Sequence, residues 1–257
     1  MSARLLSVSF GGGVNSTAML VEMFRRSMRP DVILFADTGG ERPETYGCLK
    51  KVSDWCVAHG FPVITTVRHE SKKHGDKTLE DECLRSQSLP SIAYGFKRCS
   101  LKWKVAPQDK WFNAWDKARD IWSIGGKIQK MIGYDASEER RAKIAADEKY
   151  AYSYPLIEWG IYREDCVAIC NSEGLPTAKS SCFFCPSMKK WEIRELAKTN
   201  PELMERALKI EANANLTSVA GLGRSFSWRD LLAADKAQRE LFDDFSAPEI
   251  PCGCYDG

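Results

Sequence analysis

Three consecutive glycines between a short, mostly apolar run and a helical pattern limit what this chain can fold into more than any other feature. Leu5 to Phe10 has the composition of a buried strand, Gly11 to Gly13 follow at once, and Ser16 to Met28 carries apolar residues at helical spacing. Glycine allows a tight turn and the close approach of a backbone to a ligand. The segment therefore predicts a strand, a tight loop and a helix whose first N–H groups are free to bind.

The segments that follow repeat this alternation of strand and helix. Val32 to Ala36 is a continuous apolar run typical of a buried parallel strand, Pro43 to His59 has helical periodicity, and Phe61 to Val67 supplies a third strand. The β-α-β-α-β order implies right-handed crossovers, helices on both faces of the sheet, and ligands at the carboxyl ends of the strands. We predict an α/β fold, a doubly wound parallel sheet of the Rossmann-like type.

The pattern changes in the second half of the chain. Trp122 to Asp135 contains one further strand, whereas the pattern beyond Tyr150 is mostly helical, as in Arg163 to Glu173. We therefore predict two domains. An α/β domain covers residues 1–150, and a small, mostly helical, cysteine-rich subdomain covers residues 151–257.

Cysteine content and apolar run length indicate the cellular setting. The apolar stretches fall far short of the roughly 20 residues of a membrane span, and Met1 to Arg4 run directly into a strand. We expect no signal peptide, no membrane partner and a cytoplasmic location. In a reducing compartment the ten cysteines indicate metal-binding or reactive thiols rather than disulfides. The net charge of +2 argues against gross electrostatic binding to nucleic acid.

The glycine loop has the composition of a phosphate site. Free N–H groups and the positive end of a helix dipole bind phosphate at a helix start. The loop lacks the Gly-Lys-Ser/Thr ending of a Walker loop and the G-x-G-x-x-G of dinucleotide folds. In the alternative interpretation the glycines only make a connection, and Ser16 and Thr17 cap the helix. The candidate ligand-binding residues are Ser9, Phe10, Gly11, Gly12, Gly13, Asn15, Ser16 and Thr17, with Asp37 and Thr38 at the end of the second strand.

Three segments resemble motifs of one superfamily. Ser9 to Thr17 resembles the pyrophosphate loop (Ser-Gly-Gly-x-Asp-Ser) of the adenine nucleotide alpha hydrolases, also called PP-loop ATPases. Phe35 to Tyr46 is similar to the second motif of the phosphoadenosine phosphosulfate (PAPS) reductase branch, which includes the sulfurtransferases of DNA phosphorothioation. Arg98 to Pro107 resembles the Cys-Cys-x-x-Arg-Lys-Val-x-Pro segment of its iron-sulfur members, and Gly133 to Arg140 extends the likeness. The resemblance implies that residues 1–150 bind ATP or another adenine nucleotide, with Gly133 among the binding residues.

Two positions of the loop depart from the superfamily pattern. Gly11 stands where the consensus has serine, and Asn15 stands where ATP pyrophosphatases place an aspartate that helps to hold magnesium. An amide oxygen is a weaker, neutral ligand, so magnesium-dependent cleavage of ATP is a separate question from nucleotide binding. Asp37 and Glu138 are candidate replacement carboxylates for a magnesium ion. A strand-end aspartate equally serves as a helix cap or turn former.

The cysteines suggest a metal site. Cys182 and Cys185 form a C-x-x-C whose spacing lets both thiolates reach one metal, although two buried cysteines are the simpler alternative. In the iron-sulfur members the resemblance implies a Cys-Cys pair as the other two ligands, but here only Cys99 of that pair is present, so Cys254 is the candidate for the fourth. The set Cys99, Cys182, Cys185 and Cys254 favours a 4Fe-4S cluster, whereas Cys182, Cys185, Cys252 and Cys254 would instead form a structural zinc site.

The sequence gives weaker evidence for a function of three other cysteines, Cys166, Cys170 and Cys252. Cys166 and Cys170 share one face of a predicted helix, where small residues are usually core. PAPS-type reductases carry their nucleophile in a C-terminal Glu-Cys-Gly-x-His segment, of which Pro251 to Tyr255 preserves only Cys-Gly. Cys252 is therefore the candidate catalytic nucleophile, without the expected activating neighbours.

Three functions fit these observations. The favoured one is an enzyme that binds ATP, adenylates an acceptor oxygen with release of pyrophosphate, and delivers sulfur with help from an iron-sulfur cluster. The acceptor would be a small molecule, tRNA or DNA, served by a sulfur donor or a thioredoxin-like protein. The second is a sulfonucleotide reductase that uses Cys252 to take sulfite from PAPS or its unphosphorylated analogue, with Arg98, Lys102 and Lys104 as anion ligands. The third is a non-catalytic nucleotide-binding module.

Overall fold

The computed structural model describes residues 4–71, 73–90, 92–93 and 96–243, and it contains the predicted succession of strands and helices. The main sheet is formed by β1 (Arg4–Phe10), β2 (Val32–Asp37), β3 (Ile64–Arg68), β6 (Lys127–Ile132) and β7 (Tyr150–Ser153), while β4 (Ile92–Ala93) and β5 (Phe96–Lys97) pair with each other. The helices are α1 (Val14–Arg25), α2 (Pro43–Ala58), α3 (Leu79–Arg85), α4 (Arg98–Ser100), α5 (Ala106–Ala114), α6 (Asp116–Ser123), α7 (Pro155–Glu158), α8 (Arg163–Ser172), α9 (Lys190–Thr199), α10 (Pro201–Asn213) and α11 (Trp228–Asp243), with a π-helix at Leu101–Val105 and a 3-10 helix at Ala136–Arg141.

The main sheet has the strand order β3-β2-β1-β6-β7, and all of its neighbouring strands are parallel. The chain moves outward from β1 through β2 and β3, then returns to the other side of β1 as β6. The direction of winding therefore reverses between β1 and β6. In open parallel sheets ligands bind at such a reversal, in the crevice beyond the carboxyl ends of the strands. The predicted α/β class with a doubly wound parallel sheet is confirmed.

Helices cover both faces of the sheet, and this explains why every residue of β2 from Val32 to Ala36 is apolar. Ile33 and Phe35 pack into the core shared with α1, α2 and α8. Val32, Leu34 and Ala36 point to the opposite face and pack with residues of α5 and α6. Successive side chains of a strand face opposite sides, so a strand covered on both sides needs apolar residues at every position.

The chain divides into two compact units whose limits differ from the predicted ranges 1–150 and 151–257. The first comprises Met1–Arg85 and Pro90–Phe183, and the second comprises Ser86–Leu89 and Phe184–Gly257. Residues 151–183 fall in the first unit because β7 pairs with β6 along the sheet and α8 packs on α1. No helix among the described residues is both long and apolar enough to cross a membrane.

A buried carboxylate organises the second, helical unit. Glu211 near the end of α10 is only 6% exposed. Its carboxylate accepts hydrogen bonds from the N–H groups of Leu222 (2.7 Å), Trp228 (2.9 Å) and Arg229 (3.1 Å) and from the Ser227 hydroxyl (2.8 Å). One side chain thus fixes the segment between α10 and α11 and satisfies N–H groups at the start of α11, which have no partner within the helix.

Candidate functional site

The glycine loop leaves backbone donors free at the start of α1. Gly13 caps the helix in an extended conformation and makes no side-chain cap hydrogen bond. The N–H of Val14 donates to the Ala178 carbonyl at 3.2 Å. The N–H groups of Asn15 and Ser16 form no hydrogen bond within the part of the chain that the structure describes. Two N–H groups at the positive end of a 12-residue helix can therefore bind an anion.

The hydroxyls at the helix start do not cap it. The hydroxyls of Ser16 and Thr17 donate to the Gly13 carbonyl at 2.9 Å and 3.1 Å. A capping hydroxyl would instead accept from an N–H group of the first turn. The Ser16 hydroxyl oxygen also accepts the N–H of Gly11 at 3.2 Å, which holds the loop against the helix.

Two glycines allow the close packing around this loop. Gly12 has a φ of +74°, a conformation that L side chains rarely adopt. Gly133, immediately after β6, lies against the first turn of α1. A Cβ atom at Gly133 would stand 3.0 Å from both the nitrogen and the Cα of Ser16 and 3.2 Å from the carbonyl carbon of Asn15. The end of β6 thus reaches the helix start only because residue 133 has no side chain.

A cavity of about 290 Å³ opens at the carboxyl ends of β1 and β6. It lies where the winding of the sheet reverses, as expected for a ligand site in this fold. Phe10, Gly12 and Thr17 are buried and do not line it. Six predicted ligand-binding residues do line it: Ser9, Gly11, Gly13, Asn15, Ser16 and Gly133.

The charged side chains of the cavity come mostly from segments that the sequence did not single out. Arg141, Arg163 and Lys179 line the cavity together with one acidic residue, Glu138. Arg141 ion-pairs with Glu138 and lies over the Tyr134 ring, 4.0 Å from its centroid. The surplus of cations suits an anionic ligand. Only Glu138 was a predicted candidate, and Arg141 directly follows the Gly133 to Arg140 segment.

Asn15 is the centre of a polar network in the cavity wall. Its amide nitrogen donates to Asp135 Oδ2 at 2.8 Å and to Glu138 Oε2 at 3.2 Å. Its amide oxygen accepts from Arg163 Nη1 at 2.8 Å. Asp135 is 3% exposed, and its other oxygen accepts from the N–H and the hydroxyl of Ser137 at 3.0 Å and 2.5 Å. Asn15 thus connects the start of α1 to the 3-10 helix and to α8.

Asp37 lies outside this cavity, and its predicted role as a ligand-binding residue stays a prediction. Its carboxylate accepts from Arg68 Nε and Nη2 at 3.0 Å and 2.6 Å, from the Tyr46 hydroxyl at 2.9 Å and from the Gly39 N–H at 2.8 Å. Asp37 is not among the residues that line the cavity. It fills the alternative role of a turn-forming residue. Burial and the neighbouring Asp37 carboxylate raise the pKa of Tyr46.

Thr38 contacts a cysteine of the predicted metal site. Its hydroxyl lies 3.2 Å from Cys182 Sγ, and the same thiol donates to Glu41 Oε1 at 3.7 Å. Glu41 is buried, and Lys104 Nζ approaches its Oε1 to 2.9 Å. Lys102, the other predicted anion ligand of the π-helix, ion-pairs with Glu82. Both lysines therefore pair with carboxylates in this structure.

The described residues do not assemble the predicted metal centre. Cys99, Cys182 and Cys185 are half-buried. Within residues 4–71, 73–90, 92–93 and 96–243, no three histidine, cysteine, aspartate or glutamate side chains are placed to hold a metal ion. Cys252 and Cys254 lie outside the described residues. The 4Fe-4S ligand set, its zinc alternative and the role of Cys252 stay predictions from the sequence.

The remaining described thiols are core residues. Cys166 and Cys170 are fully buried in the core beneath the sheet, as expected from their spacing on α8. Burial raises the pKa of four of these thiols to about 12 and raises that of a fifth. Protonated thiols are poor nucleophiles, so these positions are unsuited to sulfur chemistry at neutral pH. The four are Cys56, Cys83, Cys166 and Cys170, and the fifth is Cys48.

A buried thiol makes stability depend on pH in a defined direction. The pKa of Cys56 is about 12 in the folded chain against an ordinary 9.0, so its contribution is complete below pH 9 and is lost as the pH rises toward 12. The free energy of unfolding falls between pH 8 and pH 10 as the Cys56 thiol ionises in the unfolded chain. We expect this fall to be smaller by about 1 kcal/mol in Cys56→Ala than in the unaltered chain. Urea unfolding at both pH values measures the difference. Val57→Ala, an exposed neighbour, is the control, and an unchanged pH dependence in Cys56→Ala would contradict the expectation.

Comparison with known proteins gives a distant structural similarity only. No family model matches the sequence, and no curated protein matches it. Among solved structures, the chain is similar to the U34-tRNA thiolase NcsA from Methanococcus maripaludis with its 4Fe-4S cluster. The TM-score is 0.42 and the identity 12%, over 84% of this chain and 73% of that chain.

Proposed function

We propose that this chain is an enzyme that binds ATP or another adenine nucleotide with its phosphates in the cavity between β1 and β6. The observation that carries the proposal is that the N–H groups of Asn15 and Ser16 have no hydrogen-bond partner among the described residues, while both residues line the same cavity as the cations of Arg141, Arg163 and Lys179. Backbone donors at a helix start and guanidinium groups are the two devices that proteins most often use to hold phosphate.

The reaction we propose for the bound nucleotide is adenylation. An acceptor oxygen attacks the α-phosphorus, the bond from that phosphorus to the bridging oxygen breaks, and pyrophosphate leaves. The N–H groups of the loop and Arg163 would bind the charge that collects on the leaving pyrophosphate. The adenylated oxygen then leaves as AMP when sulfur replaces it. The acceptor belongs to the class of small molecules, tRNA or DNA, and the sulfur donor is a separate molecule.

For the predicted 4Fe-4S cluster we propose a set of four ligands and no role in the reaction. The described residues do not bring three metal ligands together, so no step of the reaction is assigned to a cluster. Iron and acid-labile sulfide in anaerobically purified protein would support the set Cys99, Cys182, Cys185 and Cys254. Zinc alone would support the alternative set with Cys252.

No described residue favours the sulfonucleotide reductase. Its nucleophile, Cys252, lies outside the described residues. Two of its three predicted anion ligands, Lys102 and Lys104, are paired with Glu82 and Glu41. Thioredoxin-dependent release of sulfite from PAPS that disappears in Cys252→Ser would nevertheless establish that reaction.

Titration calorimetry with ATP, AMP and pyrophosphate tests the proposal. We expect ATP to bind at least about tenfold more tightly than AMP, because AMP lacks the two phosphates that the loop would hold. Pyrophosphate alone is expected to compete with ATP. Release of pyrophosphate from bound ATP would support adenylation, bound ATP that stays intact would support the non-catalytic module, and absence of ATP binding would refute both.

A further inference from the structure

The Asn15 network bears on how the charge of a nucleotide is neutralised. In the superfamily that the loop resembles, an aspartate at this position helps to hold magnesium, an ion that takes oxygen ligands in near-octahedral geometry. A guanidinium group can only donate hydrogen bonds and a carboxylate can only accept them. The amide oxygen of Asn15 must therefore face Arg163, and its NH2 group must face Asp135 and Glu138. The side chain presents N–H groups, rather than an oxygen, toward the two carboxylates.

The two carboxylates are already engaged. Asp135 accepts from Asn15 with one oxygen and from Ser137 with the other. Glu138 accepts from Asn15 with one oxygen and from Arg141 with the other. A magnesium ion at this place would have to displace N–H donors from both carboxylates and would face the Asn15 amide hydrogens. The residues present at the loop therefore do not fit the magnesium site of the superfamily.

The same network places two guanidinium groups at the cavity. Arg163 uses Nη1 for Asn15, and a guanidinium has five N–H donors, so donors remain for a phosphate. Arg141 lies at the cavity wall, paired with Glu138. Guanidinium groups match phosphate oxygens in a bidentate geometry and keep their charge at all physiological pH values.

We propose that Arg163 and Arg141 replace the divalent cation, so that this cavity binds a nucleoside polyphosphate in its metal-free form. Asn15 is the positioning residue: its neutral amide joins Arg163 to the two carboxylates, where an aspartate would add a third negative charge. The inference rests on the proposed function, because it concerns the same phosphate site.

The test is a titration of ATP into the full chain, once with magnesium chloride and once with EDTA. Magnesium converts most of the free ATP into its magnesium complex, so we expect ATP to bind at least as tightly in EDTA as in magnesium chloride. Weakening by about tenfold or more in EDTA would overturn the inference. Absence of binding in both solutions would refute the proposed function instead. The two failures are thereby distinguished.

Substitutions at the network sharpen the test. Asn15→Asp is expected to create a magnesium dependence of about tenfold, because three carboxylates would then meet and a divalent cation would relieve their repulsion. Arg163→Ala is expected to weaken binding in EDTA by about tenfold or more, and Arg163→Lys to restore part of it. Arg119→Ala, which removes an exposed arginine from α6, is the control and should leave both constants unchanged. Equal affinity of Arg163→Ala and the unaltered chain in EDTA, with thermal unfolding showing both folded, would contradict the role of Arg163.

Discussion

Replacing Gly133 with alanine should weaken ATP binding by about tenfold or more and lower the free energy of unfolding by about 1 to 3 kcal/mol. The added Cβ would stand 3.0 Å from the nitrogen and Cα of Ser16. These are backbone atoms in the first turn of α1, and they cannot turn aside as the tip of a flexible side chain can. Relief of the contact must move the end of β6 or the start of α1, and either movement displaces the N–H groups proposed to hold phosphate.

Gly47→Ala is the matched control for this experiment. Gly47 lies in the interior of α2, and a Cβ there would meet nothing within 4 Å. Alanine favours the helical state over glycine by about 0.5 to 1 kcal/mol, so this variant should be as stable as the unaltered chain or more so. Its ATP affinity should not change. Calorimetric titration and urea unfolding of both variants give the comparison, and full ATP affinity in Gly133→Ala would contradict the proposed position of the phosphates.

Glu211→Ala should destabilise the helical unit by about 4 kcal/mol, the largest loss of stability that we expect from a single substitution. The Glu211 carboxylate accepts hydrogen bonds from four donors, and three of these donors are backbone N–H groups. Alanine would leave these buried donors without an acceptor, at a cost of about 1 to 3 kcal/mol for each unsatisfied group that water does not reach. The segment from Leu222 to Arg229 would then lose its anchor.

Hydrogen exchange and urea unfolding measure this effect. The amides of Leu222, Trp228 and Arg229 should exchange much faster in Glu211→Ala than in the unaltered chain. Glu205→Ala removes an exposed carboxylate from the same helix and should change stability by less than about 0.5 kcal/mol. A loss below about 1 kcal/mol in Glu211→Ala would show that the four hydrogen bonds do not organise this unit.

The fold was predictable from sequence because its signals are local. The glycines of the loop, the helical spacing after them and the unbroken apolar run of β2 are each patterns of residues close together in the sequence. The chain order of these elements then limits the topology to a parallel sheet. The limit between the units was harder to predict, because whether β7 and α8 join the sheet depends on pairing with β6 and packing on α1 rather than on their own patterns.

The site was predictable in part. The loop residues that line the cavity are adjacent in sequence, but the charged residues that complete it come from distant segments. Asn15 meets Asp135 across 120 positions and Arg163 across 148. No single-sequence pattern reports such contacts. The position of Asp37 at a strand end likewise does not report that its carboxylate accepts hydrogen bonds from Arg68 on the neighbouring strand.

The cysteines show a similar limit. The C-x-x-C spacing indicates a metal, and it does not report that Cys182 contacts Thr38 and Glu41, which lie more than 140 positions earlier in the chain. In the structure, burial distinguishes the core thiols from the half-buried ones. From sequence alone, only Cys166 and Cys170 could be assigned to the core, because of their helical spacing.

A crystal structure of the full chain with a non-hydrolysable ATP analogue tests the central claim most directly. We expect the phosphates of the analogue to lie within hydrogen-bonding distance of the N–H groups of Asn15 and Ser16 and of the Arg163 guanidinium. An analogue bound at another place, or one whose phosphates do not contact the start of α1, would contradict the assignment of this loop as the phosphate site.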